Sequence, residues 1–264
     1  MTPYVRQSTT NPRQGDVFVV TYPKCGTNWM QFILYNIVSR AAPITNMREF
    51  RLNSPFIELT GAGAAENPSR SGPIMTHLPY SVFRPVDCAK YIYVARNPCD
   101  CAVSFYHFIK GLTPKDVTDV LYGDYFDHLL PWYEHRGAEN VHLVTYERLK
   151  ADTRDEVLKV ADFLGEQHGS SLRKNEALLQ RVLNACSFDN MKVLFKEKPL
   201  DRAKMLLGTA PEKSAALAKA NAVVQKDSEM HEGSGFIRKR TKEWIEKKTR
   251  GSDVMCLWSD CDLP

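Results

Sequence analysis

The chain has 264 residues, 43% of them hydrophobic, and a formal net charge of +4. This length suffices for one sizeable core, and so small a charge does not by itself indicate a nucleic-acid or membrane partner. No run approaches the roughly 18 consecutive apolar residues of a membrane span, and residues 1–15 lack the apolar segment of a signal peptide. We therefore predict a single soluble cytoplasmic domain over 1–264.

The cysteines limit the kinds of site that the chain can carry. There are seven, an odd number, and no two of them form a C-x-x-C pair. This pattern favours neither a disulfide framework nor a zinc ribbon. We predict free thiols in a reducing compartment and no bound metal.

The first part of the chain alternates strand and helix patterns. Turn-forming residues predict an irregular arm over 1–15, and the apolar run in "DVFVVTY" (16–22) predicts a buried strand. Apolar residues then recur at helical spacing from Trp29 to Ile37. The Pro, Gly and Asn content of 43–73 predicts loops and short helices.

The remaining elements continue this alternation. Further strands are predicted at "PIMTH" (73–77), "YIYVA" (91–95) and "VHLVTY" (141–146). A helix is predicted over 153–165, with Thr153 as its N-cap and Gly165 past its end. Another is predicted over 176–197, followed at 198–240 by a mobile cover rich in Lys, Ala, Gly and Ser. Strands that alternate with helices indicate an α/β fold with a central parallel sheet flanked by helices.

Three residues with anion-binding chemistry stand where the first strand ends and a helix begins. A helix N-terminus at this edge of a parallel sheet offers backbone N–H groups and a partial positive charge. Gly26 allows close backbone approach, Lys24 adds a mobile charge, and Thr27 adds a hydroxyl donor. These residues predict a P-loop-like site for a phosphate-like group. The same spacing also fits a tight strand-to-helix turn with a solvated lysine, which stays as the alternative.

The loop differs from a nucleotide-binding Walker A sequence. Lys24 precedes the only glycine instead of following a second one, and "YIYVARNP" does not end in the aspartate that would hold magnesium. Phosphoryl transfer needs a divalent ion to neutralise charge. These differences count against a small-molecule kinase, which stays as an alternative.

Two further places suit an anion. Arg96 ends the 91–95 strand, and Ser104 follows it inside the next helical pattern. The basic cluster at 238–242 is the densest in the chain. Either place has a structural alternative, because Arg96 can pair with a carboxylate and most charge runs are solvated. Together the three places predict a ligand with more than one anionic group.

The motifs resemble those of the cytosolic sulfotransferases. "YPKCGTNW" resembles their "YPKSGTTW", "RNPCDCAVSFYHF" resembles "RNPKDVAVSYYHF", and "FIRKR" resembles "F-[MI]-R-K-G". "THLP" (76–79) falls where that family has its catalytic histidine. Order and separation match over about residues 16–245.

The resemblance implies a parallel α/β fold and the donor 3'-phosphoadenosine-5'-phosphosulfate (PAPS), with adenosine 3',5'-bisphosphate (PAP) as product. The residues implied around the phosphosulfate and the adenine are Lys24, Cys25, Gly26, Thr27, Asn28, Trp29, Tyr146, Cys186 and Phe188. Those implied for the 3' phosphate are Arg96, Ser104, Arg238, Lys239 and Arg240.

The same resemblance implies a mechanism. His77 is expected to take the acceptor proton as a general base with an ordinary, near-neutral pKa, while Lys24 stabilises the leaving phosphate. The residues predicted for the acceptor pocket are Pro23, Phe56, Met75, His77 and Phe108. The acceptor is a small hydroxyl or amine compound, and the residues do not choose between a phenol, a catecholamine, a sterol and another alcohol.

Several positions depart from the family pattern. Cys25 replaces a serine, Asn28 a threonine, Met75 a lysine and Arg240 a glycine. A nucleotide-binding homologue with weakened catalysis is therefore a second alternative, and nucleic-acid binding through 238–250 is the weakest. The family's C-terminal dimer signature is not recognisable, which predicts a monomer or a dimer built on other residues.

Overall fold

Four parallel strands form the centre of the structure. The computed structural model describes residues 11–44, 46–83, 85–110, 123–194 and 245–258. The strands are β1 (Val17–Thr21), β2 (Ile74–Thr76), β3 (Lys90–Ala95) and β4 (Val141–Thr145), in the order β2-β1-β3-β4. All four predicted strands are confirmed, with ends that differ by at most one residue. Their nearly continuous apolar runs are typical of parallel strands covered on both faces.

The register brings the carboxyl ends of the strands together. Val20 of β1 pairs with Thr76 of β2 on one side and with Tyr93 of β3 on the other. His77 and Arg96 follow directly after β2 and β3, so both emerge at the edge where β1 also ends. Because β1 lies between strands reached in opposite directions, a ligand crevice is expected at this edge.

Helices connect the strands and cover the sheet. They are α1 (Thr27–Val38), α2 (Met47–Asn53), α3 (Ile57–Thr60), α4 (Ala62–Glu66), α5 (Pro98–Lys110), α6 (Tyr125–Glu134), α7 (Tyr146–Ala151), α8 (Thr153–Leu164), α9 (Glu166–Lys174), α10 (Glu176–Ala185) and α11 (Phe188–Leu194), with a 3₁₀ helix at Val254–Trp258. The loops and short helices predicted for 43–73 are confirmed. In the part of the chain that the structure describes, no helix is both long and apolar enough to cross a membrane.

Alternate strand residues pack into two separate cores. Phe18 and Tyr93 point to one face, where the Tyr93 ring stacks on Trp132 of α6 at 5.6 Å between centroids. Val19 points to the other face and packs with Ile33 of α1. The sheet is therefore buried on both sides, as the alternation of strands and helices predicted.

Two predictions need correction, and two others fall wholly or partly outside the described residues. The N-cap of α8 is Asp152, whose carboxylate accepts from the amide of Asp155 at 2.9 Å, and not Thr153. A carboxylate reaches this amide, while the hydroxyl of Thr153 donates to a carbonyl of α7 instead. The helix predicted over 176–197 is two helices, separated at 186–187. Residues 1–10 of the arm and the whole predicted cover at 198–240 lie outside the described residues.

Candidate active site

The loop between β1 and α1 has a backbone that suits close approach of an anion. Lys24 and Gly26 have φ angles of 73° and 99°, in the left-handed region that favours glycine. A Cβ at Gly26 would lie 2.9 Å from Cδ2 of Tyr146, so this position admits only glycine without movement of the ring. Gly26 is also the N-cap of α1, and it offers no side chain to the first amides of the helix.

Hydroxyl groups connect this loop to the end of β1. Thr27 is buried, and its Oγ1 lies 2.6 Å from Oγ1 of Thr21. Oγ1 of Thr21 lies 3.1 Å from Nδ1 of His77. The loop and the predicted catalytic histidine are therefore held against the same strand end.

His77 is 9% exposed and has a defined tautomer. Its Nδ1–H donates to the carbonyl oxygen of Thr21 at 2.8 Å, so the basic lone pair lies on Nε2. Burial lowers the pKa of His77 from 6.5 to about 4; the bond to Thr21 opposes this shift and the charge of Lys24 adds to it. The expectation of an ordinary, near-neutral pKa is therefore wrong. His77 is neutral at pH 7, as a general base must be, but it is a weaker base than an exposed histidine.

Two buried residues that the sequence analysis missed hold the backbone of His77. The carboxyl group of Glu58 accepts from the amide of His77, and from the hydroxyl of Thr76 at 3.0 Å. On the other side, Nε2 of His128 donates to the carbonyl of His77 at 3.1 Å, and the Tyr93 hydroxyl donates to Nδ1 of His128 at 2.9 Å. The signal for Glu58 was its place as a single charge in the apolar run "PFIEL".

Burial shifts the pKa of both Glu58 and His128. It raises the pKa of Glu58 to about 8, against the backbone bond from His77 and the hydroxyl of Thr76, which lower it. It lowers the pKa of His128 to about 3, against the bond to the carbonyl of His77. His128 is therefore a neutral, buried support at pH 7.

Arg96, Trp29 and Tyr146 come together beside the loop. Nη1 of Arg96 donates to the carbonyl of Lys24 at 3.1 Å, and its guanidinium lies 4.5 Å from the centroid of the Tyr146 ring. The Tyr146 ring meets Trp29 edge-on at 5.6 Å. Nε of Arg96 and Nε1 of Trp29 are buried without a hydrogen-bond partner among the described residues. Both atoms are buried donors next to the loop that precedes α1.

The other residues predicted for the donor lie in different surroundings. The side chain of Cys25 is fully buried, with its Sγ 3.5 Å from Sγ of Cys101, and burial raises its pKa well above the ordinary value. Cys186 packs in the core beneath α1, where burial raises its pKa to about 12. Phe188 begins α11 and is 79% exposed, and Ser104 lies half-buried on α5. Positions 238–240 lie outside the described residues.

Of the residues predicted for the acceptor, Phe56 contacts His77 directly. The Phe56 ring meets the imidazole edge-on at 5.0 Å, and Phe56 pairs with Met75 of β2 through an isolated bridge. Phe108 is 42% exposed, and Nζ of Lys24 lies 4.6 Å from its ring centroid. Pro23 is buried in the loop itself. Apolar walls next to a basic nitrogen and a cation suit a small acceptor.

A cavity of about 430 Å³ lies elsewhere, among α2, α3 and α4. It is lined by Arg51, Leu52, Thr60, Gly63, Ala64, Glu66, Asn67 and Pro68. It shares no lining residue with the predicted acceptor pocket. Among the residues that the structure describes, no group of three or more His, Cys, Asp or Glu could hold a metal ion.

Residues 14–249 match the family model described as "Sulfotransferase domain". The chain is 35% identical over 205 residues to Sulfotransferase 2B1 of Rattus norvegicus, a match that covers 70% of this chain and 58% of the relative. It is 36% identical over 196 residues to 3-alpha-hydroxysteroid sulfotransferase of Cavia porcellus, covering 67% of this chain and 66% of that one. The chain thus spans about three fifths of the length of these curated relatives.

Solved structures share the fold. A crystal structure of mouse sulfotransferase SULT7A1 complexed with PAP superposes with a TM-score of 0.66 at 24% identity, covering 98% of this chain and 94% of the other. Retinol dehydratase in complex with androsterone and inactive cofactor PAP gives a TM-score of 0.61 at 17% identity, covering 99% and 87%. At these identities the likeness establishes the arrangement of the sheet and helices.

Proposed function

Because this chain belongs to the sulfotransferase family, we propose that it transfers a sulfuryl group from PAPS to a hydroxyl or amine of a small acceptor. One observation carries the proposal. At a single edge of the sheet, the first amides of α1, Lys24 and Arg96 gather positive charge and donors beside the neutral imidazole of His77. Anion binding and proton removal are the two tasks that this reaction sets.

The residues present fit the donor. Nε of Arg96 and Nε1 of Trp29 have no hydrogen-bond partner among the described residues, and this supports a role for both side chains beside an anionic nucleotide with an aromatic base. Gly26 leaves the loop backbone open next to the Tyr146 ring. We assign Lys24, Gly26, Thr27 and Asn28 to the phosphosulfate, Trp29 and Tyr146 to the adenine, and Arg96 and Ser104 to the 3' phosphate. The parts expected of Cys186, Phe188, Arg238, Lys239 and Arg240 remain predictions.

The chain's own groups then perform the remaining chemistry. When bound, the donor supplies an activated sulfuryl group and is left as PAP. His77 takes the acceptor proton on Nε2, while the carbonyl of Thr21 stabilises the imidazolium through Nδ1–H. Lys24 and the N-terminus of α1 interact with negative charge that develops on the leaving side. Met75, Phe56 and Phe108 exclude water around the acceptor.

The acceptor class follows from this pocket and from the relatives. The names of related proteins include a 3-alpha-hydroxysteroid sulfotransferase, a flavonol 4'-sulfotransferase and an amine sulfotransferase. We therefore propose hydroxysteroids and phenols as the first acceptors to test, with amines third. The family's cytosolic members also favour a cytoplasmic location.

The test is a transfer assay with PAPS labelled in its sulfuryl group, across hydroxysteroids, flavonols, simple phenols and amines. We expect label to reach at least one class without added ATP. Lys24→Met should abolish transfer much more than it weakens PAP binding, because the lysine acts on charge that develops during the reaction. Equal losses would refute its role.

Two outcomes would replace the proposal. Tight PAP binding without transfer to any acceptor would indicate a nucleotide-binding homologue with weakened catalysis, a result that Met75 in place of the family's lysine would explain. Magnesium-dependent phosphorylation by ATP of the same compounds would indicate a kinase.

A further inference from the structure

A buried arginine outside the family motifs contacts the donor loop. Arg51 of α2 is 6% exposed. Its Nη2 donates to Oδ1 of Asn28 at 3.2 Å, and its Nη1 donates to Oε1 of Gln31 at 3.0 Å. One guanidinium thus contacts the side-chain amides of two residues of α1, and the first of them, Asn28, is assigned to the phosphosulfate.

The contacts beyond Gln31 set the orientation of its amide. Nε2 of Gln31 donates to the carbonyl of Ser54 at 2.7 Å and to its hydroxyl oxygen at 2.8 Å. The hydroxyl of Ser54 donates in turn to the carbonyl of Pro73 at 2.6 Å, just before β2. Because the carbonyl of Ser54 can only accept, Nε2 of Gln31 must face Ser54 and Oε1 must face Arg51. This arrangement holds Arg51 in place to reach Asn28.

The contact with Arg51 determines which end of the Asn28 side-chain amide can face the ligand. An asparagine has an acceptor oxygen and a donor nitrogen, and only the nitrogen can bind an anion. The threonine that the family has at this position rotates its hydroxyl to donate in any setting and needs no such control. Arg51 occupies the oxygen of Asn28, which leaves Nδ2 as the end that can serve an anionic ligand.

We propose that Arg51 is a positioning residue that turns the amide nitrogen of Asn28 toward the 5' phosphosulfate of the donor, an inference that rests on the proposed function. Asn28 and Arg51 then form a unit that replaces the family's threonine. The contact requires two forked donors on one side chain, which a guanidinium supplies and an ammonium does not.

The test is a double-mutant cycle on PAP binding, measured by titration calorimetry. Arg51→Met should weaken PAP binding about tenfold in the wild-type background, the loss expected for one well-oriented hydrogen bond to a charged group. In the Asn28→Thr background the same substitution should change the affinity by less than about twofold, because a hydroxyl needs no orientation. Adenosine 3'-monophosphate, which lacks the 5' group, should show no background-dependent difference.

Two further variants keep the test decisive. Arg48→Met removes an exposed arginine from the same helix and should leave PAP affinity unchanged, which controls for net charge. If Arg51→Met does not fold, Arg51→Lys retains a buried cation but lacks the fork, and it should show the same dependence on the residue at position 28. Thermal melting of every variant checks the fold.

The outcomes separate this inference from the proposed function. Equal loss of affinity in both backgrounds, or no loss in either, would overturn the role of Arg51 while PAP binding by the wild type still supported a sulfotransferase. A wild-type protein that bound neither PAP nor PAPS would overturn the proposed function, and the inference with it.

Discussion

His77→Ala is the substitution that tests the assigned chemistry most directly. The imidazole is buried beside Phe56, and its Nδ1–H is bound to the carbonyl of Thr21. Under the proposed assignment, removing it leaves the acceptor without a base but keeps the loop assigned to the donor. We expect turnover to fall by roughly 10²–10⁴-fold, with PAP affinity nearly unchanged.

The pH dependence of the transfer rate tests the lowered pKa of His77. Burial lowers the pKa of His77 from 6.5 to about 4, so the neutral, active form persists about 2.5 pH units further into acid than for an exposed histidine. In the wild type, kcat/KM for the donor, which reports the free enzyme, should stay level down to about pH 5 and decline below it. The variant should lack this decline.

The assay compares transfer to an aliphatic alcohol and to an acidic phenol over pH 4–9. Because Met75 replaces the lysine of the family, the dependence on His77 should be strongest for the alcohol and weaker for a phenol that ionises unaided. His135→Ala, at an exposed histidine, serves as the control. Near-normal alcohol turnover by His77→Ala, or an acid limb near 6.5 in the wild type, would refute the reasoning.

Three further predictions test the surroundings of the site. Gly26→Ala should lower the free energy of unfolding by about 1–3 kcal/mol and weaken PAP binding, because φ at this position is 99° and the new Cβ would meet the Tyr146 ring. Gly15→Ala is the control: φ is 82° and nothing lies within 4 Å, so only the cost of the backbone conformation should appear. Equal losses of stability in denaturant titrations would contradict the clash with Tyr146. Arg96→Ala should weaken PAP binding by about 1.5–3 kcal/mol and abolish discrimination between nucleotides with and without a 3' phosphate; retained discrimination in calorimetry would place the 3' site elsewhere. Folding lowers the pKa of His128 from 6.5 to about 3, so its stabilising contribution is complete above pH 6.5 and is lost as the pH falls towards 3. Between these values the stability advantage of the wild type over His128→Gln should shrink by about 1.4 kcal/mol per pH unit. An advantage that grew as the pH fell would contradict the lowered pKa.

Much of the fold could be predicted because its signals are local. The four strands are short apolar runs next to turn residues, and each lies where the pattern placed it within two residues. The helix over 125–134 was not predicted, since it carries Pro131 and its buried residues are large aromatics. The N-cap at Asp152 was misplaced by one residue because Asp and Thr at successive positions give similar capping signals.

The sequence by itself predicted an anion-binding loop, because Lys24, Gly26 and Thr27 lie at a strand end and a helix start only a few residues apart. Only the tertiary structure decided what surrounds His77. His128 lies 51 residues away along the chain, and Glu58 lies 19 residues away. Local patterns carry no information on such distant pairings. The lowered pKa of His77 has the same origin, since burial is the sum of contacts from β1, α3 and α6, which meet only when the chain folds.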